Sequence, residues 1–437
     1  MRRSYLQLLF KALELPFLPV YNDYQLKYQW QPNPKNRFTV VSLGALDDFE
    51  LNLDANETEE QRYTLNNLPV SKQWNYTIGG KWEYFRKGGY YTVVLSRNML
   101  DNRASKWAGN DESRPENRLL AYQSQEIENK LRLEDFRQFG SGLKVTWGLN
   151  YEYAKYSVDN YFKTVAQGNP LTQEYRSSLQ LNKWGLFGQA SQDLLEGKVI
   201  LSAGLRMDAT DYSEEMNKLW EQFSPRLSAA WYFLPKWSLN ANVGRYYQLP
   251  SYVVMGFRNS ADGPLVNRQN GLQYLRADHV VSGVEWAPTN FLRLTLEGFY
   301  KWYSNYPYLL DQGISLANLG ADFGVIGNSP VISASKGRAY GLEFLVQQRL
   351  ASTFYGTLAY TLVRSEFTGL DEVYIPSAWD YRHIVSLTGG KRFPRNWELG
   401  SRFLLSGGPP FTPFDLAATL NQENWDRSGQ GLPDYAA

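Results

Sequence analysis

Long stretches of this chain alternate apolar and polar residues, and the stretches are joined in turn by a short link and a long polar one. From Val199 to Asp208 the odd positions are Val199, Leu201, Ala203, Leu205 and Met207, while Ser202, Gly204, Arg206 and Asp208 stand on the other face. The register repeats over Trp237 to Gly244, where Trp237, Leu239, Ala241 and Val243 oppose Ser238, Asn240, Asn242 and Gly244, and again over Leu143 to Asn150 and Leu292 to Glu297. Successive side chains of a strand point to opposite faces, so each segment offers one apolar and one polar surface. Short links are expected at Asn33 to Asn36, Arg86 to Gly89, Leu195 to Lys198, Leu234 to Lys236, Ala287 to Asn290, Leu350 to Thr353 and Phe393 to Asn396. Long ones are expected at Asp47 to Gln73, Asp101 to Gln123, Ser157 to Ser178, Pro250 to Asp278 and Pro307 to Lys336. Tight turns on one side and long loops on the other mark a transmembrane β-barrel of the outer-membrane kind.

The pattern predicts an all-β, antiparallel transmembrane barrel. It implies about sixteen strands, many well past the 5 to 6 residues of globular strands and long enough for a tilted crossing of about 9 to 11. No run approaches the roughly 20 apolar residues that a spanning helix requires. Aromatic residues make up 15% of the chain, with Tyr ahead of Phe and Trp, as the girdles at the two membrane interfaces require. Trp74, Trp237 and Trp397 each open a strand after a loop or turn, where a girdle would lie.

Composition removes several function classes. With 45 basic and 44 acidic residues, nothing favours a nucleic-acid partner held by phosphate neutralisation. Cysteine is absent, which excludes disulfides, thiolate metal sites and cysteine nucleophiles. His279 and His383 are the only histidines, and strand-end roles suit them better than metal ligation. No phosphate-cradling Gly loop, zinc-protease helix or nucleophile elbow occurs, so neither catalysis nor a cofactor is expected. The acidic stretch from Asp47 to Arg62, with Asp47, Asp48, Asp54, Glu57, Glu59 and Glu60, matches no calcium-loop spacing and is taken as a solvated face.

Near the start, Lys11 and Glu14 interrupt the apolar run and no small-residue cleavage site follows, so an amphipathic helix from Ser4 to Leu13, lying in a loop, is expected instead of a signal peptide. The closing residues Asp434-Tyr435-Ala436-Ala437 are polar and loop-like. An open sheet leaves unpaired edges that lipid does not tolerate, and the expectation is a piece of a larger barrel.

Five motifs follow one another along the chain: Phe223-Ser224-Pro225-Arg226-Leu227, Asn242-Val243-Gly244-Arg245-Tyr246-Tyr247-Gln248-Leu249-Pro250 and Gly337-Arg338-Ala339-Tyr340-Gly341-Leu342-Glu343-Phe344, then Trp379-Asp380-Tyr381-Arg382-His383 and Leu404-Leu405-Ser406-Gly407-Gly408-Pro409-Pro410-Phe411-Thr412-Pro413. Together they resemble the barrel of TonB-dependent outer-membrane receptors, most nearly those of the Bacteroidetes-type lineage. The resemblance implies a barrel of 22 strands filled by an N-terminal plug domain. Against that pattern the residues given are expected to be without a signal sequence, the plug with its energy-coupling TonB box, and the terminal strands. It further implies capture of a scarce small-molecule or oligomeric nutrient such as a siderophore, cobalamin, peptide or glycan by the loops. Transport would then be energised by the TonB complex pulling on the plug. A passive porin or a surface-binding barrel is the alternative.

Ligand capture would use loop aromatics, amides and guanidinium groups. The best-stocked loop is Pro250 to Asp278, with Tyr252, Phe257, Arg258, Asn259, Asn267 and Arg268, followed by Trp302 to Leu310, with Tyr303, Tyr306 and Tyr308. Arg206, Asp208, Arg293, Glu297 and Glu343 are expected to face the lumen, and the opposed apolar residues to face outer-membrane lipid. Replacing Leu205 or Leu294 by Arg is then expected to cost roughly 2 to 4 kcal/mol at the membrane midplane; a folding titration in lipid that shows no loss for either overturns this register.

Overall fold

The computed structural model describes residues 2–140, 142–166, 169–260, 262–319, 326–428 and 431–435. Ala436 and Ala437 of the closing stretch lie outside the described residues. Strand β1 (Arg2–Arg3) and helix α1 (Leu6–Ala12) lead into β2 (Phe17–Asn33) and β3 (Asn36–Leu51), and α2 (Glu59–Asn67) precedes β4 (Val70–Arg86) and β5 (Gly89–Trp107). Then come β6 (Arg118–Gln138), β7 (Leu143–Ala166), β8 (Asn169–Leu194), β9 (Val199–Thr210), β10 (Ser224–Leu234) and β11 (Trp237–Gln248). After α3 (Tyr252–Met255) and α4 (Val266–Gln269) follow β12 (Leu275–Trp286), β13 (Leu292–Leu309), β14 (Ile314–Ser315), β15 (Val331–Ala351), β16 (Phe354–Thr368), β17 (Tyr374–Pro376), β18 (His383–Arg392) and β19 (Glu398–Ser406). The chain ends through α5 (Leu416–Thr419) and α6 (Gln422–Ser428).

Among the described residues, all nineteen strands lie in one sheet. Three of them are two- or three-residue pieces, and the other sixteen are the long strands that the alternation implies. Each long strand pairs antiparallel with the next long one along the chain, from β2–β3 to β18–β19. None of the described pairings joins β19 back to β2. Both are bare: β19 is exposed at every residue and β2 from Tyr24 to Asn33. No described helix is long and apolar enough to cross a membrane.

The tight turns fall where the sequence places them, and between β6 and β7 Phe139 N–H reaches Leu143 O at 2.8 Å. Left-handed residues close several of them, among them Gly88 (φ 73°), Lys236 (φ 70°) and Ser352 (φ 62°). Aromatic pairs line this end of the barrel, including Trp30–Phe38 with ring centres 5.6 Å apart and Trp237–Trp286 stacked at 5.3 Å. The lumen face is polar: Arg206 donates to Asp208 at 2.7 Å, Arg293 lies 2.6 Å from Glu285, and Glu297 stands directly opposite Glu343.

The long-loop end departs from expectation in several places. Ser157 to Ser178 is no loop: β7 and β8 run on as a hairpin, pairing Ser157 with Ser178 and continuing to Ala166 opposite Asn169. Most of Asp101 to Gln123 is likewise strand, with Arg103 opposite Gln123 and Asn102 opposite Ser124. Trp302 to Leu309 is the outer part of β13. Conversely, the links over 211–223 and 369–382 are long and are not among the long loops expected from the pattern. Within the acidic stretch, Thr58 accepts from Gln61 N–H at 3.1 Å while the Gln61 side chain accepts from Thr58 N–H at 2.9 Å. That capping box starts α2, so Glu59 and Glu60 lie in the first helical turn, where carboxylates favour the helix dipole. Lys106, at the outer end of β5, holds the end of α2 by donating to Leu65 O at 2.5 Å and Leu68 O at 3.0 Å, and burial pushes its ammonium down to about 8. The expected N-terminal helix forms as α1, folded back beside β2.

The two lipid-facing leucines stand at different depths. Leu205 is 51% exposed on β9, well away from the turn. Leu294 is the third residue of β13 and sits opposite Trp286 of the turn-end girdle. Arginine is costly at the midplane and cheap at an interface, so Leu205→Arg is expected to cost about 2–4 kcal/mol and Leu294→Arg only about 0–1 kcal/mol in a lipid folding titration. Equal costs would contradict the assigned depths.

Candidate functional site

β7 and β8 have 24 and 26 residues, more than twice the roughly 9–11 that a tilted crossing uses. Their outer halves therefore stand clear of lipid, and there the polarity of the two faces inverts while the pleat continues unbroken. Low on β7 the outward positions are Trp147 and Leu149 and the inward ones Asn150 and Glu152. Higher up, Lys155, Ser157 and Asp159 point outward, and Ala154, Tyr156 and Val158 are buried inside. On β8, Trp184 and Leu186 give way outward to Gln180, Ser178 and Arg176, opposite the buried Leu181, Leu179 and Tyr175.

The residues after β11 fill this inner apolar face. Their loop passes over β9 and β10 to stack Tyr252 on Tyr156 at 5.9 Å and set Phe257 edge-on to Tyr175 at 5.5 Å. Val254, Met255, Leu272, Leu309, Ile314 and Val331 complete the main apolar core of the described residues. Polar latches fix the loop. Tyr252 Oη donates to Glu128 Oε1 at 2.7 Å and accepts from Lys183 Nζ at 2.6 Å, beside a group in which Lys183 pairs with Glu152 and Lys130 lies 2.7 Å from Glu128. Burial, then the neighbouring Glu128, push the Tyr252 phenol far up, so it stays a donor. Tyr212 Oη donates to Met255 O at 2.8 Å. The Asn267 amide donates to Val254 O at 2.7 Å and Ser329 O at 3.0 Å, and its carbonyl oxygen accepts from Val331 N–H at 2.7 Å, binding this loop to the one before β15.

The expected capture residues separate accordingly. Tyr252, Phe257, Asn267 and Tyr308 are buried, at 9%, 2%, 0% and 9% exposure. Tyr303 and Tyr306 pack on Phe367 at 5.3 and 4.7 Å. Arg268 is exposed, with its guanidinium 6.0 Å from the Tyr212 ring, and Asn259 is exposed too. Of the nine, Arg258 borders a large cavity. About 680 Å³ in volume, it is lined by Arg258 and Asp262 of the loop and by β5 to β8, where Ser124, Val158 and Ser177 belong to the inner face and Asp101, Gln125, Ser157, Arg176 and Ser178 to the outer one. Arg258 Nε donates to Ser177 Oγ at 3.1 Å, and its Nη1 donates to Gly263 O. One step up the same inner face, the Asn160 carboxamide and the Tyr175 hydroxyl are buried without a hydrogen-bond partner among the described residues.

The wall residues Ser177, Asn160, Glu128 and Lys183 are not among the residues expected from the sequence: the first two fall in a stretch whose pattern predicts a loop, and the other two stand in strands with no local motif. The readable signal was the exchange of apolar residues between odd and even positions of β7. The histidines stay apart: His279 packs on Tyr246 at 4.6 Å, His383 Nδ1 lies 2.9 Å from Tyr360 Oη, and β13, β15 and β16 stand between their strands. Among the described residues no cluster of His, Asp and Glu is placed to hold a metal ion.

Removing the Tyr252 hydroxyl deletes two hydrogen bonds to charged groups, each worth about 1.5–3 kcal/mol. In Tyr252→Phe, amide exchange over 251–272 is expected to accelerate at least about tenfold while β9–β11 stay protected. Unchanged exchange would show that apolar packing alone holds the loop.

The family model described as TonB dependent receptor-like, beta-barrel matches residues 13–436. Among similar solved structures, a mutant of the ferric enterobactin receptor PfeA of Pseudomonas aeruginosa has 15% identity and a TM-score of 0.59, covering 92% of this chain and 66% of that one. The copper transporter OprC gives 11% and 0.63, with 90% and 59% covered. FpvA of P. aeruginosa, bound to heterologous pyoverdines, gives 14% and 0.67, with 92% and 57% covered. The chain thus spans less than two thirds of the length of these structures, and at such identities the likeness is one of fold. No curated protein matches it in sequence.

Proposed function

We propose, because this chain belongs to the TonB-dependent receptor-like β-barrel family, that it forms the wall and ligand-capturing mouth of an outer-membrane receptor for energised uptake of a scarce nutrient. The family consists of transport receptors of the bacterial outer membrane. The observation that carries the reading for this chain is the cavity that Arg258 of the folded-in loop borders together with β5 to β8. Its volume of about 680 Å³ falls within the roughly 300–1,000 Å³ of small-molecule sites. It is bordered by an arginine that still has donors to offer, and unpartnered polar groups of Asn160 and Tyr175 lie close by.

Capture is the work of this chain's own residues. Arg258, held by Ser177, presents its guanidinium to an acceptor on the ligand, and Ser124 on the same inner face supplies a neutral hydrogen-bond partner. Arg268 and Asn259, exposed on the same loop, meet the ligand on its way in, while Tyr303, Tyr306 and Tyr308 hold the outer part of β13 against β16. The buried Tyr252, Phe257 and Asn267 set the loop so that Arg258 is in place before the ligand arrives, which lowers the ordering cost of binding. Release into the periplasm depends on a plug domain in the lumen, drawn by the TonB complex and meeting the charged inner wall around Arg206, Asp208, Glu297 and Glu343. The names of the similar structures, a ferric enterobactin receptor and a copper transporter, put metal-bearing small molecules first among the ligands to try.

The test is uptake by cells expressing the full-length gene, using a panel of labelled ferric chelates, copper complexes, cobalamin and oligosaccharides. One compound is expected to enter, only while the proton gradient stands, and Arg258→Gln should weaken its binding by roughly tenfold or more, the value of a charged hydrogen bond. Uptake that survives an uncoupler would make the barrel a passive pore; binding without uptake would make it a surface receptor.

A further inference from the structure

A second concave feature lies on the outer wall, far from the covered mouth. Strand pairing sets Val243, Val280, Tyr300, Tyr340 and Arg364 side by side across β11, β12, β13, β15 and β16. One step toward the long loops it sets Arg245, Asp278, Trp302, Arg338 and Glu366 in the same way. Both rows share the face on which Val243, Val280, Leu296, Leu342 and Leu362 are exposed, the face toward lipid. The wall is dented below the tyrosines. An apolar groove of about 580 Å³ runs between Val280, Ser282, Gly298, Leu342 and Leu362 and is bounded by Tyr300, Tyr340 and Arg364. The glycine opens it: a Cβ on Gly298 would meet only Leu342 Cδ2 at 3.4 Å and Gly341 O at 4.0 Å.

The rim carries surplus positive charge. Arg338 Nε lies 2.8 Å and Arg364 Nη2 3.1 Å from Glu366, and Asp380 is shared by Arg364 at 3.0 Å and Arg382 at 3.9 Å. Beside them Arg245 and Arg276 share Asp278 at 2.7 and 2.6 Å. Five arginines thus meet three carboxylates. Each guanidinium has five N–H donors, more than these acids engage. An apolar trough in the membrane face, capped by tyrosines and then by under-neutralised arginines, matches an acyl chain whose headgroup bears phosphate.

We propose that this groove binds a phosphorylated lipid of the outer leaflet, with one acyl chain along Gly298 and the phosphate on Arg338 and Arg364. A neutral lipid fills the trough but leaves the cationic rim unanswered, so the phosphate decides which lipid stays. The site serves the barrel's fit to its membrane and is independent of the ligand that the mouth captures.

The test is native mass spectrometry of the full-length receptor in mild detergent, incubated with bisphosphorylated lipid A or with the same glycolipid stripped of phosphate. The wild type is expected to retain the phosphorylated form at least about fivefold better, the worth of roughly one arginine at a lipid surface. Gly298→Leu fills the trough, has room for its Cβ and leaves every arginine in place; Arg364→Gln removes rim charge. Each is expected to lower retention about fivefold, with an unchanged melting temperature for Gly298→Leu showing that the barrel is intact. Equal retention of the two lipids, or full retention by folded Gly298→Leu, overturns the proposal.

Discussion

Every backbone N–H and C=O that lies in lipid must find its partner within the protein, because no water is there to replace it. A strand ladder meets that demand, and it leaves the side chains alternating strictly between two faces. What each face must be then depends on height. In lipid the outward face is apolar and the inward face polar, as in Trp147 and Leu149 against Asn150 and Glu152. Above lipid the outward face meets water and the inward face is free to be covered, so Tyr156 and Val158 turn in while Lys155 and Asp159 turn out. One ladder thus serves two solvents, and the switch between them sets where the molecule can build an apolar core.

That core decides the shape of the mouth. A loop of some two dozen residues could not by itself offset the ordering cost of its backbone, about 1–2 kcal/mol per residue. Here the inverted faces of β7 and β8 offer it an apolar surface, and Tyr252, Met255 and Phe257 take it. The hydrogen bonds of Tyr252 to Glu128 and Lys183 then fix where on that surface it settles. These groups also join two zones, since Lys183 and Glu152 belong to the polar lumen wall while Tyr252 belongs to the loop core. The C-terminal segment reaches the same place: Arg427 donates to Thr172 of β8 at 3.4 Å, and Tyr435 packs on the core.

Much of this was legible in the sequence, and what was missed has a physical reason. The sixteen long strands and the tight turns stand out because, in lipid, the apolar residues stay on one parity, as from Val199 to Met207. In the outer half of β7 the apolar residues change parity, and a stretch such as Tyr153-Ala154-Lys155-Tyr156-Ser157-Val158-Asp159 looks polar to a reading that holds the phase fixed. So a fixed phase predicts a loop where the structure has a hairpin. Tyr252 and Phe257 sit in a true loop, which predicts exposed capture groups, and nothing local announces that distant strands bury them. Arg258, between a buried Phe and an exposed Asn, keeps its access to the cavity. In the acidic stretch, Thr58 and Gln61 carried a capping signal that the count of carboxylates obscured.

The most direct measurement of the central claim is amide hydrogen exchange over residues 151–182 in the full-length receptor held in lipid nanodiscs. If the ladder continues above the membrane with its faces inverted, the amides of Tyr153 to Asp159 and of Arg176 to Leu181 exchange as slowly as those of β7 and β8 within the membrane. Exchange there at the rate of an unstructured loop would contradict the continued ladder, and with it the core that shapes the mouth.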